Sequence, residues 1–382
     1  MDATRTAASN LLRRDELTTQ SPAQQTLELA ALVTAVGSYR SQPISFRLGP
    51  GQTLALLGGN GAGKTTLLET IAGFLKPRAG KVLLAGRDCT HAPPEARRVG
   101  YLFQTGALFP HLTVGQNLQF GRLASENLDT LLDRFELRDL AARRPGQLSG
   151  GERQRVALAR TLAGNPDAVL LDEPLSAIDP ATRPAMRDEL ARHLRACSAP
   201  SIVVTHDPAE AMALGQLVGV MDAGELLQIG PASAMFAHPA RLRSAQLLGV
   251  ENIWQGVVAA LPDNGTVRIR LGLEPEACWI EALRGDELAD LQMGARVRLC
   301  VRAADLQLIA PGQAEPDSPN QLEVRLVDRT DLASVVQLHC RLGDRLDILA
   351  YVLPWQLRGW PLAPGHTLRL HLAAEAMHVL PA

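Results

Sequence analysis

The stretch Gly58-Gly59-Asn60-Gly61-Ala62-Gly63-Lys64-Thr65-Thr66 has the residue types and the spacing, G-x-x-x-x-G-K-[ST], to hold a phosphate chain. Its glycines let successive backbone N–H groups turn inward around a phosphate, and a helix beginning at its end adds partial positive charge. Lys64 can reach the β- and γ-phosphates, and the Thr65 hydroxyl can ligate Mg²⁺. The plain alternative is a glycine-rich strand-to-helix turn with an exposed lysine. Other groups bear on that choice. Asp172 and Glu173 end an apolar run as adjacent carboxylates. The first is suited to hold Mg²⁺ and the second to polarise an attacking water, or the pair simply opens an acidic turn before Pro174. Gln104 ends another apolar run, where it can ligate Mg²⁺ through its carbonyl oxygen or merely be solvated. His206 ends a third, where a neutral imidazole can donate to a γ-phosphate or sit in an ordinary loop. Ser149 and Glu152 read as a capping box, which leaves Gly150 and Gly151 unexplained, because glycine is a poor residue in a first helical turn. Bare N–H groups there, beside a serine hydroxyl, make a second phosphate site. Tyr39 offers a ring to stack on adenine, or is an ordinary loop tyrosine.

These side chains need a sheet whose strand ends converge. Residues 53–57, 168–171 and 201–205 are short, continuous apolar runs, the pattern of parallel strands buried on both faces; 99–103 reads as a further strand. Ligands bind beyond the carboxyl ends of such strands. Residues 67–74 read as a helix on the sheet, 27–36 as a first strand, 44–48 as an alternating antiparallel strand, and 115–145 as mostly helical. A hairpin spans 217–229, and a helical stretch over 232–248 closes the unit. Residues 109–114 hold several apolar side chains in a loop, either a docking surface or a hydrophobic staple for the next helix. Beyond residue 250, 294–309 and 365–380 align as two copies of one β unit. Asn264-Gly265 signals a hairpin, 311–319 reads as a Pro/Gly-rich linker, and short alternating strands suggest small OB-like barrels.

At 382 residues the chain has room for two or three domains of roughly 150 residues each, and 46% hydrophobic content supports a large core. A net charge of −2 without a long basic run implies no nucleic-acid partner. The five cysteines are scattered without a CxxC pair, which fits a reducing compartment and argues against a zinc site or a disulfide framework. No apolar stretch approaches the ~20 residues that span a bilayer, and the first residues lack the apolar segment of a signal peptide. Membrane association therefore has to go through a partner.

Taken in order, Lys64, Gln104, 148–152, Asp172 with Glu173, 176–179 and His206 resemble the motif set of the nucleotide-binding subunits of ABC transporters, over roughly residues 27–248. The Leu-Ser-Gly-Gly stretch is what separates that family from other phosphate-loop proteins. This chain departs from the pattern in three places: Glu152 where Gln is commoner, Ile178 where Leu is commoner, and a shortened loop around Tyr39. The resemblance implies an α/β fold: after an extension over 1–26, a phosphate-loop ABC ATPase domain at 27–248, with a mixed sheet and a helical subdomain. Two all-β, OB-like repeats of the TOBE/Mop type follow at 250–310 and 319–382. It implies ATP and Mg²⁺ as cofactors, with Mg²⁺ on Thr65, Gln104 and Asp172, Glu173 as general base or water-orienter, and His206 as γ-phosphate sensor. Two copies would face each other head to tail, ATP lying between the Lys64 loop of one and Ser149, Gly150 and Gly151 of the other; Glu152 and Asp179 are counted among the nucleotide-binding residues. Implied partners are a second copy, a membrane permease reached through Gln104 and 109–114, and, indirectly, a periplasmic or lipid-anchored solute-binding protein. The place implied is the cytoplasmic face of a bacterial inner membrane. The tail is similar to the regulatory domains of importers for oxyanions, ferric iron, polyamines and sugars, and 97–104, 108–111 and 353–355 look closest to molybdate importers. A non-transport ABC ATPase fits less well, since the chain has one phosphate loop and no sustained heptads.

Overall fold

The computed structural model describes residues 25–120, 127–262, 265–272, 278–285, 288, 290–310, 320–343, 346–358, 360 and 362–382. Most of the N-terminal extension, Asn264 of the hairpin signal, and the linker at 311–319 lie outside these described residues.

The chain opens with β1 (Leu27–Val33), a small hairpin of β2 (Ala35–Val36) and β3 (Tyr39–Arg40), and β4 (Ile44–Leu48). In β4 the alternation read from the sequence holds: Ile44 and Leu48 are buried, while Ser45 and Arg47 are exposed. β5 (Thr53–Leu57) leads into α1 (Lys64–Ala72), followed by β6 (Ala79–Leu84), β7 (Arg87–Asp88), the short α2 (Pro94–Arg97) and β8 (Val99–Leu102). A helical layer comes next, with α3 (Val114–Phe120), α4 (Leu128–Arg134) and α5 (Gly150–Leu162). Then come β9 (Ala168–Asp172), α6 (Arg183–Ala196), β10 (Ser201–Thr205), α7 (Pro208–Leu214), β11 (Leu217–Asp222) and β12 (Glu225–Pro231).

These strands form two sheets. One is antiparallel, in the order β4-β1-β6-β7. The other runs β12-β11-β5-β10-β9-β8 and is parallel except for β12. Every residue of β5, β9 and β10 is buried, because each strand faces apolar side chains on both sides. Leu54, Leu56, Leu170, Ile202 and Val204 pack with Leu67, Leu68 and Ile71 of α1 and with the antiparallel sheet. Val169, Leu171 and Val203 turn the other way, onto the helical layer of α3 to α6. The period of two along a strand thus divides one apolar run between two cores.

The closing helical stretch is two helices, α8 (Ala232–Ala237) and α9 (Leu242–Leu247). Pro239 separates them; it lacks an N–H to donate and disfavours helical geometry at His238.

The tail contains β13 (Asn252–Ala260), β14 (Thr266–Leu271), β15 (Cys278–Leu283), β16 (Arg296–Val301) and β17 (Leu306–Ile309). It continues with β18 (Gln321–Asp331), β19 (Val336–Leu342), β20 (Leu346–Val352), β21 (Thr367–Leu372) and β22 (Met377–Pro381). They form two antiparallel sheets, β15-β14-β13-β16-β22 and β20-β19-β18-β21-β17. The sheets have the same order, and each takes its last strand from the other repeat. The aligned copies seen in the sequence are β16 with β17 and β21 with β22, each pair joined by one 3₁₀ turn. Side chains of both sheets merge into one apolar cluster.

The tail rests on α8 and α9. Ala245 and Val250 pack with Cys300 and Leu380. Arg302 donates to the Phe236 carbonyl at 3.0 Å and lies over its ring at 5.3 Å. His378 sits 3.4 Å from His238, ring nitrogen to ring nitrogen, and its Nε2 donates to the Pro239 carbonyl at 2.9 Å.

Candidate nucleotide site

The strand register brings the site together. Thr205 pairs with Leu57, and Val204 with Asp172, so the phosphate loop, His206 and Glu173 leave neighbouring strand ends at one edge. Gly63 begins α1 with a left-handed φ of 96°, a region L-residues rarely adopt. A Cβ at Gly63 would lie 1.6 Å from the Tyr39 hydroxyl, so no larger residue fits. That hydroxyl donates to the Ala62 carbonyl at 3.4 Å, which sets Tyr39 directly against the phosphate loop. Lys64 is 6% exposed, and its Nζ donates to the carbonyls of Gly58 at 2.8 Å and Gly59 at 2.9 Å. Burial lowers its pKa, opposed by the Glu173 and Asp172 carboxylates. The exposed-lysine alternative is therefore gone: the ammonium is held against the loop's own carbonyls, where a phosphate oxygen can replace them.

Thr65 Oγ1 donates to Asp172 Oδ1 at 3.1 Å. Asp172 is buried, and burial raises its pKa against the Thr65 hydrogen bond. A hydroxyl and a carboxylate in contact form the hard oxygen set that Mg²⁺ prefers, so these residues fit the ion. Glu173 adopts a φ of 44°, unusual for a residue with a Cβ. The turn is held by Glu173 N–H donating to the Val204 carbonyl at 3.1 Å, and by Ser176 N–H and Oγ donating to the Glu173 carbonyl at 3.2 and 3.0 Å. Its carboxylate accepts from Gln104 Nε2 at 3.1 Å and lies 3.4 Å from His206 Nδ1. Gln104 thus touches the carboxylate through its nitrogen, which leaves its oxygen for a cation.

The predicted capping box at the start of α5 is present. Ser149 N–H donates to Glu152 Oε2 at 2.7 Å, and Glu152 N–H donates to Ser149 Oγ at 3.3 Å. The backbone bond from Ser149 holds the Glu152 carboxyl below its ordinary range. No hydrogen bond joins 149–152 to 58–66 among the described residues. The nearest atoms to a Cβ built at Gly150 or Gly151 lie 4.0 Å and 3.8 Å away, so this chain's own packing does not require glycine at either. Asp179 is exposed, and its Oδ1 accepts from Ala181 N–H at 3.0 Å.

Some neighbours of the site escaped the sequence reading. Gln154 donates to the carbonyl of Pro174, so α5 grips the loop after Glu173. Burial, then the carboxylates of Asp172 and Glu69, push the Tyr101 hydroxyl far above its usual pKa, keeping it a donor beside the proposed metal ligand. Neither has a spacing signal, because both contacts cross between elements. Beside them, a cleft of about 860 Å³ opens at the edge strand β8, lined by Tyr101, Phe103, Phe109, Phe120 and Arg160 among others. Asn117, fully buried, shapes its rim: Oδ1 accepts from Phe109 N–H at 2.9 Å, and Nδ2 donates to the carbonyls of Phe109, Leu112 and Thr113 at 3.0–3.2 Å. Phe109 also packs on Phe120, the last residue of α3, ring centroids 4.4 Å apart.

A family profile described as ABC transporter matches residues 41–176, and one described as TOBE domain matches 316–379. A molybdate/tungstate import ATP-binding protein of Pyrococcus horikoshii is 33% identical over 90% of this chain and 96% of its own length. The chain belongs to the ABC transporter family. It is an ABC-type ATPase with a TOBE domain in its tail. Two further relatives of this ABC ATPase carry other solutes in their names. A putrescine transport ATP-binding protein of Escherichia coli is 34% identical over 78% of this chain and 80% of its own. A putative 2-aminoethylphosphonate import ATP-binding protein of Salmonella typhimurium is 37% identical over 71% and 74%.

Proposed function

We propose that this ATPase turns over Mg·ATP only as a pair of copies and thereby energises a solute importer. The observation that carries this reading is the start of α5: an exposed N-cap serine and two glycines that the chain's own packing does not need, with no hydrogen bond among the described residues to the phosphate loop of the same chain. Glycines there suit close approach by something outside the chain, and a helix start suits a phosphate. In the pair, residues 58–66 and Lys64 of one copy bind the phosphates, Tyr39 flanks the adenine, and Ser149, Gly150 and Gly151 of the other copy close on the γ-phosphate, with Glu152 and Asp179 beside them. Thr65, Asp172 and Gln104 hold Mg²⁺, which when bound neutralises phosphate charge. Glu173 orients and polarises the water, and His206 donates to the γ-phosphate.

The cleft beside β8 is the proposed seat of a permease segment. Its aromatic walls, together with Arg160 lying 5.4 Å from the Phe109 ring, suit an apolar helix end with a polar rim. Among the described residues no helix is long and apolar enough to cross a membrane. In this reading the chain sits peripherally at the cytoplasmic face of the inner membrane, with a solute-binding protein contributing only indirectly. A molybdate-like oxyanion is the solute favoured by the P. horikoshii relative, whose match covers most of both chains; polyamine and phosphonate import are the alternatives named by the others.

The pair is tested by Ser149→Arg, which should abolish turnover while leaving nucleotide binding by the isolated chain within about twofold, read by a fluorescent ATP analogue. Loss of binding by the monomer would sink the two-half site. Glu173→Gln should bind ATP, lose at least ~10²-fold in turnover and elute as a dimer with ATP on size exclusion. Wild-type hydrolysis would remove Glu173 from its role. Calorimetry of the full chain against molybdate, tungstate and sulfate tests whether the tail reads an oxyanion; no heat would leave it a docking or pairing role.

A further inference from the structure

The chain leaves β10 at Thr205 and enters α7 at Pro208, and His206 lies in the short turn between. His206 itself is exposed, and its ring meets the Glu173 carboxylate at 3.4 Å. The turn is held from behind. Thr205 is 1% exposed, and its Oγ1 serves two partners: it accepts from Asp207 N–H at 3.1 Å and donates to Glu210 Oε2 at 2.6 Å. Asp207 in turn caps α7, its Oδ1 accepting from the N–H groups of Ala209 at 2.7 Å and Glu210 at 3.3 Å. Glu210 is 7% exposed, and among the described residues no lysine or arginine forms an ion pair with it.

Glu210 lies in the first turn of α7, where the helix dipole favours a carboxylate, yet its side chain is turned inward onto the Thr205 hydroxyl rather than out to water. What Glu210 supplies is an acceptor. It takes the Thr205 proton, so the lone pairs of Thr205 Oγ1 remain directed at Asp207 N–H. The backbone on both sides of His206 is then fixed, by the β10–β5 ladder at Thr205 and by this side-chain chain at Asp207. We infer that Glu210 is a positioning residue for His206, acting through the Thr205 hydroxyl to hold the imidazole at the Glu173 carboxylate and the γ-phosphate position. The inference rests on the proposed role of His206.

Epistasis tests it. In the purified full chain at saturating Mg·ATP, Glu210→Ala should lower kcat about tenfold and move the KM for ATP less than about twofold. Thr205→Val should give the same loss, and the double variant should be no worse than either single one. Glu210→Gln retains an acceptor oxygen and should keep most of the activity. In a His206→Ala background, neither Glu210→Ala nor Thr205→Val should lower kcat further. An equal loss with and without His206 would overturn the inference, because Glu210 would then act elsewhere. A His206→Ala protein turning over at the wild-type rate would instead overturn the reading of His206. Should Glu210→Ala melt before it can be assayed, Glu210→Met, which fills the same space without an acceptor, takes its place in the two backgrounds.

Discussion

Arg97 is among the largest fully enclosed side chains, and among the described residues no carboxylate forms an ion pair with it. Its guanidinium donates to four carbonyls: Ala92 at 2.8 Å, Thr70 at 2.9 Å, Ile71 at 2.7 Å and Thr90 at 3.0 Å. Thr70 and Ile71 lie in the last turn of α1, the helix that starts at the phosphate loop and has no basic residue at its own C-terminal end. Arg97 therefore supplies from α2 the cation that a helix C-terminus favours. Arg97→Met should cost on the order of 3 kcal/mol in urea unfolding, since three buried carbonyls and one half-buried carbonyl lose their donor. In the sequence this arginine belongs to an Arg-Arg pair, and nothing local marks it as buried. Asp172 presents the opposite trade. It is a buried carboxylate whose pKa is raised chiefly by desolvation. Asp172→Asn should therefore stabilise the nucleotide-free protein by about 1 kcal/mol while abolishing hydrolysis, a gain and a loss read from a thermal melt in chelator and from phosphate release.

At the scale of elements, the orientation of α5 decides where Ser149 points. Arg155 of α5 meets Glu189 of α6 at 2.9 Å, and His193 approaches the same carboxylate at 3.8 Å while stacking on Phe135 at 4.2 Å. The nearby His193 ring first, opposed by burial, and then Arg155 hold the Glu189 pKa below its ordinary value. A depressed carboxyl pKa contributes stability that is present above the unfolded value, about 4.3, and is lost as pH falls through the folded value. Glu189→Gln should cost roughly 1–3 kcal/mol at pH 7, because it leaves Arg155 partly buried without its partner. In acid the wild type should converge on the variant, and denaturant titrations at the two pH values check the difference. Residues 115–145 are legible as helical, yet which helix carries the partner of Arg155 is not, since an ion pair between α5 and α6 leaves no spacing in the chain.

At the scale of the whole molecule, the strand exchange makes the tail one folding unit. β22 pairs with β16 and β17 with β21, and both sheets fill one apolar cluster. Leu380 of β22 also packs with Ala245 at the ATPase junction. A chain ending at residue 373 should therefore lose hydrogen-exchange protection in both tail sheets, not only beside the missing strand, while β5, β9 and β10 stay protected. Loss confined to β16 would show that the sheets are independent.

Local order along the chain determined much of this protein by itself. The phosphate loop, the capping box at Ser149 and Glu152, the apolar strands and the β repeats each rest on contacts between near neighbours or on a period of two, which adjacent residues can express. Tertiary structure alone decided how they meet. It split the apolar run of β9 between two cores and turned Glu173 to a φ of 44° between Gln104 and His206. It buried Arg97 and Glu210, and it sent the last strand of each repeat into the other's sheet. Those outcomes depend on which distant surface each element meets, and the periodicity of an element records that it has a buried face without recording what covers it.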